Sequence, residues 1–230
     1  RFGLLAPGQV VVDLGAAPGG WLQVAAAKVG SDGVVVGVDR QRMRPLEAPQ
    51  VTLLRADLTE SETIAEVVSL TPGGTADVVL SDMAPNMSGQ YELDHARSVY
   101  LAELALQVAE ELLETGGSFV AKVFDGPDGA GFRTRVDDAF AAETATRPAA
   151  TRASSSEQYV IGQGYLTGPV TEGMRIEGKI TAVGAEGDGI LKVEGYTVFV
   201  PAAEAGEQVT VEVETVQPRF AFARRVDREG

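Results

Sequence analysis

The chain has 230 residues, with 33 acidic and 19 basic side chains, a net charge of −14, no cysteine and one histidine. This excludes a disulfide framework, thiolate zinc sites and cysteine nucleophiles, and leaves only His95 for histidine chemistry. No apolar run reaches the length of a membrane span and the start shows no signal peptide, so the expectation is a cytoplasmic chain with no membrane partner.

The length suffices for one α/β domain plus a small appendage. Basic residues are skewed, with 15 arginines against 4 lysines, while acid is abundant and aromatics are few. Such an acidic, lysine-poor composition suits a halophilic cytoplasm. At molar salt the screening length falls to about 3 Å, so global repulsion toward nucleic acid largely disappears and local arginine contacts decide binding.

The first predicted strand is Val10–Leu14, followed by a Gly/Ala/Pro turn and a helix at Gly20–Val29. A strand ending in a small-residue loop that opens a helix brings backbone N–H groups close to a ligand. The loop lacks the dinucleotide pattern G-x-G-x-x-G, because Ala17 follows Gly15 by two, and it lacks the Lys-Ser/Thr ending of a P-loop. A tight βα connection would look much the same. A second acid, Asp39, ends the next predicted strand, Val34–Asp39, about twenty residues past the turn, where a carboxylate meets ribose hydroxyls. The pair reads as a nucleoside site without a pyrophosphate cradle, which suits S-adenosylmethionine better than NAD or ATP.

Further strands are predicted at Val51–Ala56, Asp77–Ser81, Ser118–Phe124 and Glu157–Gly162, with helices at Glu62–Ser69, Tyr91–Leu113 and Gly131–Phe140. The alternation predicts an α/β fold with a mostly parallel, doubly wound sheet, and ligands beyond the carboxyl ends of its strands. Asp82 follows Val78-Val-Leu80 at such an end, although a turn or capping role explains an aspartate there too. Lys122 lies within Gly117-Ser-Phe-Val-Ala-Lys-Val-Phe124, where burying an unpaired ammonium would be costly. Glu157 opens the last of these strands. Together the three suggest an Asp-Lys-Glu set at one sheet edge, able to orient a hydroxyl nucleophile and take its proton.

The character changes near Thr171. Short alternating runs with hairpin signals at Gly187-Asp-Gly189 and Glu194-Gly195 predict a small antiparallel OB-like barrel, and Gly164–Thr171 reads as the connection.

Four blocks carry a resemblance: Asp13-Leu-Gly-Ala-Ala-Pro-Gly-Gly-Trp21, Ser81-Asp-Met-Ala-Pro-Asn-Met-Ser-Gly89, Ala121-Lys-Val-Phe124 and Arg152-Ala-Ser-Ser-Ser-Glu157. In this order and spacing they resemble the FtsJ/RrmJ family of S-adenosylmethionine-dependent ribosomal RNA 2′-O-ribose methyltransferases, over roughly Phe2 to Gly168. The resemblance implies a Rossmann-like sheet and a Lys-Asp-Lys-Glu catalytic tetrad, whose last three members fall on Asp82, Lys122 and Glu157. It implies cofactor contacts at Gly19 and Trp21, at Asp39 for the ribose, at Asp57 near the adenine and at Asp82 near the methionine end. The family's first lysine lies upstream of Phe2-Gly-Leu-Leu5, and Lys28 does not match its position. The expectation is that an N-terminal segment is missing from residues 1–168.

Residues 171–230 resemble a TRAM domain, an RNA-binding β-barrel, on Gly187-Asp-Gly-Ile190, Thr197-Val-Phe-Val-Pro201, Gly206-Glu-Gln-Val209 and Pro218-Arg-Phe-Ala-Phe-Ala-Arg-Arg-Val226. In the last block arginines interleave with Phe220 and Phe222, which either stack on bases or fill the barrel core at period two. With 7 basic and 11 acidic residues the tail would bind through local patches. The reading is a monomeric methyltransferase for a ribose 2′-hydroxyl of large-subunit (23S) rRNA, a uridine, with no metal. Its rivals are a tRNA ribose methyltransferase and a non-catalytic binder of cofactor and RNA that serves ribosome assembly.

Overall fold

The computed structural model describes residues 2–148 and 156–226. The chain divides into two units, Arg1–Tyr165 and Leu166–Gly230.

In chain order the first unit contains β1 (Val10–Leu14), α1 (Gly20–Val29), β2 (Val34–Asp39), β3 (Val51–Arg55), α2 (Ser61–Leu70), β4 (Ala76–Ser81), α3 (Tyr91–Leu112), β5 (Leu113–Phe124), α4 (Gly129–Ala139), β6 (Phe140–Thr146) and β7 (Glu157–Tyr165). The sheet order is β3-β2-β1-β4-β5-β7-β6. Pairing is parallel from β3 to β5, and β7 runs antiparallel to both β5 and β6. This is the Rossmann-like α/β sheet that the sequence predicts. The near-continuous valine runs of β1 and β2 suit strands covered on both faces.

Side chains alternate between the two faces. Val12, Leu14, Val36, Val38, Val79, Phe119, Ala121 and Val123 pack into the core beneath α2, α3 and α4. Val11, Val35, Val78, Leu80, Val120 and Ile161 pack on the other face with Leu22, Ala25, Ala26 and Val29 of α1. Helix α1 buries that i, i+3, i+4, i+7 stripe, and Gly30, at φ 71°, ends it. Gly37 lets α1 approach, since a Cβ there would lie 2.7 Å from the Leu22 side chain. By the same alternation Asp13, Asp39, Asp82, Lys122, Tyr159 and Glu157 share the α1 face at one rim.

Two differences from the sequence reading concern strands. β6 is a strand that the sequence analysis leaves out, because three alanines and a glutamate break up its one aromatic and two β-branched residues. It forms by pairing along β7 and burying Phe140 between Phe119 and Tyr165. β5 begins at Leu113, directly after α3, and turns through Gly116 at φ 88° before its buried half.

The second unit is all-β: β8 (Arg175–Lys179), β9 (Ala182–Val183), β10 (Gly189–Val193), β11 (Tyr196–Val200), β12 (Gln208–Val216) and β13 (Phe220–Arg225). Its sheet order is β8-β12-β13-β11-β10-β9. The β10–β11 hairpin turns at Glu194 and Gly195, both with positive φ. The sheet curls until Gly178 of β8 meets Leu191 of β10. Leu191, Val198, Val200, Val209, Val211, Ala221 and Ala223 fill its interior.

Candidate active site

A cavity of about 610 Å³ opens at the carboxyl ends of β1, β2, β3 and β4, with Gly15, Ala17, Asp39, Asp57, Asp82 and Met83 in its wall. Gly15 adopts φ 74°, and a Cβ there would lie 2.6 Å from Met83 Cγ, so the loops after β1 and β4 close on each other at this glycine. Gly19 takes the left-handed conformation at the N-cap of α1, which turns the chain into the helix. Asp39 Oδ2 accepts from the Ala17 amide at 2.9 Å and Oδ1 from the Gln41 amide at 2.7 Å. Asp57 closes an Asx turn with the Thr59 amide and hydroxyl, and these bonds hold its carboxyl below the usual range.

Asp13 is wholly buried, and neither carboxyl oxygen has a hydrogen-bond partner among the described residues. Burial, with smaller contributions from Asp82 and Asp39, pushes its pKa up to about 8. Asp39 and Asp82, beside the same small-residue loop, repel an anion and favour a cation. That environment fits a nucleoside carrying a sulfonium and an ammonium, as S-adenosylmethionine does.

The acceptor side is built at the next strands. Lys122 is 9% exposed; its Nζ donates to the Asp82 carbonyl at 2.9 Å and forms an ion pair with Asp82 Oδ1 at 3.0 Å. Tyr159, opposite Lys122 in the β5–β7 register, donates its hydroxyl to the same Oδ1 at 3.0 Å. Burial and the neighbouring Asp82 push the Tyr159 phenol well above its ordinary value, so it remains a donor. Neither bond uses Oδ2 of Asp82, which is left for a ligand. Trp21, on the first turn of α1, packs against Tyr159 with ring centroids 5.6 Å apart.

Helix α3 fastens both loops of this rim. Buried Asp94 accepts from the Ser88 amide and hydroxyl, both at 2.8 Å, and from the Gly89 amide at 3.1 Å, pinning the loop that follows Asp82. β4 pairs with β5 only as far as Ala121. Beyond that point Ser98 Oγ accepts from the Phe124 amide at 2.7 Å, and His95 Nδ1 lies 3.1 Å from the Phe124 carbonyl. The Asp128 amide donates to His95 Nε2 at 3.2 Å, which assigns the proton of the neutral ring to Nδ1.

The sequence-derived residues fall as follows. Asp39, Asp57 and Asp82 line the cavity. Gly19 and Trp21 stand at the α1 N-terminus outside its wall, and Lys122 joins Asp82 at the rim. Glu157 pairs in register with Phe124, two residues from Tyr159, so Tyr159 is the β7 side chain that bonds Asp82. Of the block 152–157, residues 152–155 lie outside the described residues. Tyr159 and Asp13 are absent from the sequence-derived set. Both have a sequence signal, the period-two relation of Tyr159 to Glu157 and an acid inside a valine strand.

Residues 1–165 match the FtsJ-like methyltransferase family and residues 169–226 match the TRAM domain. A protein of Haloarcula marismortui named ribosomal RNA large subunit methyltransferase E is 52% identical over 98% of this chain and 88% of its own length. A protein of Halorubrum lacusprofundi with the same name is 54% identical over 96% and 82%. Among solved structures, a Plasmodium falciparum chain described as a ribosomal RNA methyltransferase superposes with a TM-score of 0.59 at 22% identity, covering 69% of this chain and 87% of its own. Aeropyrum pernix fibrillarin with bound S-adenosylmethionine gives 0.50 at 12% identity, covering 69% and 68%. This chain belongs to the FtsJ-like methyltransferase family, bears a TRAM domain, and is a methyltransferase whose cofactor is S-adenosylmethionine.

Proposed function

We propose that the protein methylates a ribose 2′-hydroxyl of large-subunit (23S) ribosomal RNA, at a uridine, acting as a monomer in the cytoplasm. The observation that carries this reading is the Lys122–Asp82–Tyr159 assembly beside a carboxylate-lined cavity. The close relatives named for large-subunit rRNA support the substrate. No helix among the described residues is long and apolar enough to cross a membrane.

We assign residues 1–168 to the methyltransferase domain and 171–230 to the RNA-binding barrel. Asp39 would hold the ribose of the cofactor, Asp57 the adenine end and Asp82 the methionine end, with Gly19 and Trp21 setting the loop. When bound, the cofactor supplies an electrophilic methyl group on a sulfonium sulfur. Lys122 is held by one hydrogen bond to the Asp82 carbonyl and by the ion pair with its Oδ1, so its amine would be fixed beside the acceptor hydroxyl. The Lys122 amine would orient that hydroxyl and accept its proton as the oxygen is methylated. Transfer needs oxygen, carbon and sulfur in line, so holding the amine still is most of the task. Glu157 stands next along β7 and would close the far side of the acceptor.

The barrel contributes an aromatic platform. Phe199, Phe220 and Phe222 sit outside its core, with ring centroids 5.5–5.7 Å apart, and Phe222 is 41% exposed. Bases of unpaired RNA stack on such faces.

The test is transfer of labelled methyl from S-adenosylmethionine to unmodified large-subunit particles in concentrated potassium chloride. Label on a ribose 2′-oxygen of the rRNA is the expected result. Cofactor binding without label on rRNA, with label on tRNA instead, would replace the substrate.

A further inference from the structure

Acidic residues outnumber basic ones 33 to 19 in this chain, and many exposed arginines spend their charge on neighbouring carboxylates. Arg133 holds Glu143 at 2.8 Å, Arg135 holds Glu103 at 3.4 Å and Arg147 holds Asp125 at 2.8 Å. In the second unit Arg175 and Arg224 share Glu212, and Arg225 holds Glu207. Like Arg97 on α3, Arg40, Arg42, Arg44 and Arg55 differ, and these four are grouped where β2 and β3 end. All four are exposed, and none has a carboxylate within ion-pair distance among the described residues.

Their placement follows from local structure. The segment after β2 is anchored by Met43 and Leu46, which pack on the α1-side core, so the arginines around them face outward. Arg55, at the end of edge strand β3, donates its Nε to the Arg40 carbonyl at 3.2 Å and joins the group to that segment. The nearby acids are largely committed: Asp39 to two backbone amides and Asp57 to Thr59, which leaves exposed Glu47. Arg40 also lines the cavity, so the cluster adjoins the cofactor site at the rim that carries Lys122.

We propose that Arg40, Arg42, Arg44 and Arg55 form a phosphate-binding surface for the RNA backbone that flanks the acceptor nucleotide. The inference rests on the RNA reading given under Proposed function. A guanidinium offers forked donors that match a phosphate, and this contact acts at touching distance. It therefore outlasts the field of the whole acidic molecule, which a screening length of about 3 Å cancels, while still weakening with salt through counterion release. From β2 to β5 the rim crosses three strand spacings, on the order of 14 Å at about 4.8 Å each. A strand with its ribose at Lys122 spans that distance within a few nucleotides. Phosphate contacts position a nucleic acid and carry no sequence information, so the surface fixes approach and leaves the choice of nucleotide to the rim.

The test uses the full chain and its Arg42→Gln/Arg44→Gln/Arg55→Gln variant, with Arg40 kept because it lines the cofactor cavity. Both are titrated with an unmodified transcript of large-subunit rRNA over a range of potassium chloride concentrations, and their cofactor affinities are compared. Each lost phosphate contact removes about 0.7–0.9 from the slope of log affinity against log salt. The expected result is weaker RNA binding, a slope lower by about two to three, and a raised KM for RNA with kcat and cofactor affinity kept. Equal affinity and equal slope for the two chains would overturn the proposal. So would a variant that binds the transcript like the wild type but loses affinity only for protein-bearing ribosomal particles, which would give the surface to a protein. A wild-type chain that binds no RNA sinks the RNA reading first and this surface with it.

Discussion

Lys122 and Tyr159 face each other across the antiparallel β5–β7 pair and meet on one atom, Oδ1 of Asp82. A lysine of β5, a phenol of β7 and a carboxylate just past β4 thus contact one another directly. Replacing Lys122 with alanine removes the group that orients the acceptor and takes its proton. Lys122→Ala should lower methyl transfer by about a hundredfold or more, the range of a lost general base, while cofactor affinity by calorimetry stays nearly unchanged. Full activity in this variant would take the lysine out of the mechanism.

Tyr159→Phe keeps the ring against Trp21 and removes only the bond to Asp82. A hydrogen bond to a charged group is worth about 1.5–3 kcal/mol, so turnover should fall roughly ten- to a hundredfold. Single-turnover assays at saturating cofactor would show the drop, with thermal stability little altered. An unchanged rate would mean that Lys122 alone fixes Asp82.

Asp13 makes stability depend on pH in the direction opposite to that of a paired carboxylate. Its folded pKa is raised from 3.8 to about 8, so the folded protein retains a proton that the unfolded chain releases. The stability tied to that proton is complete below pH 3.8 and is lost progressively as pH rises toward 8. Asp13→Asn cannot ionise. Denaturant titrations at fixed salt should therefore show the variant gaining on the wild type from about pH 4 to 8 and levelling above that. A constant difference across this range would show that Asp13 is ionised when buried.

How far the sequence reveals these features depends on what each one rests on. β1, its loop and α1 were legible because a valine run, a glycine turn and an alanine-rich helix each have a local signature. β6 was not, since its alanines and glutamate carry little strand preference and the strand forms only against β7. Tyr159 was hidden for another reason: its partner is set by the register of β5 on β7, which no stretch of sequence states. For Phe220 and Phe222 the period-two pattern gave one shared face but not which one. Pairing with β11 puts Ala221 and Ala223 inside and both rings beside Phe199. His95 stood out only as the one histidine in the chain.

Gly15→Ala should fail on two counts, because the residue has φ 74° and its Cβ would press on the Met83 side chain and backbone. The cost is about 1–3 kcal/mol of stability, as for an overpacked site, with cofactor affinity reduced because the loop must shift. Chemical denaturation and calorimetry measure the two effects. A variant that keeps both values would show that Met83 moves aside freely.

Phe222→Ala tests the barrel. The ring is partly exposed and lies outside the core, so folding should be unaffected. Loss of one stacked base is worth about 1–3 kcal/mol, and affinity for a single-stranded rRNA transcript should fall on the order of tenfold. Unaltered binding would leave the platform without a role in RNA capture.

The bonds that fasten the rim have a consequence for an enzyme bathed in brine. Asp94 on the Ser88 and Gly89 amides, Ser98 and His95 on Phe124, and Tyr159 on Asp82 are short hydrogen bonds between touching atoms. Dissolved ions weaken attraction across a gap far more than contact between neighbours. The reacting geometry is thus insulated from salinity, whereas the grip of exposed arginines on phosphate is not. Changes in salt should move the RNA concentration at which the enzyme works and leave the speed of the bound complex almost alone.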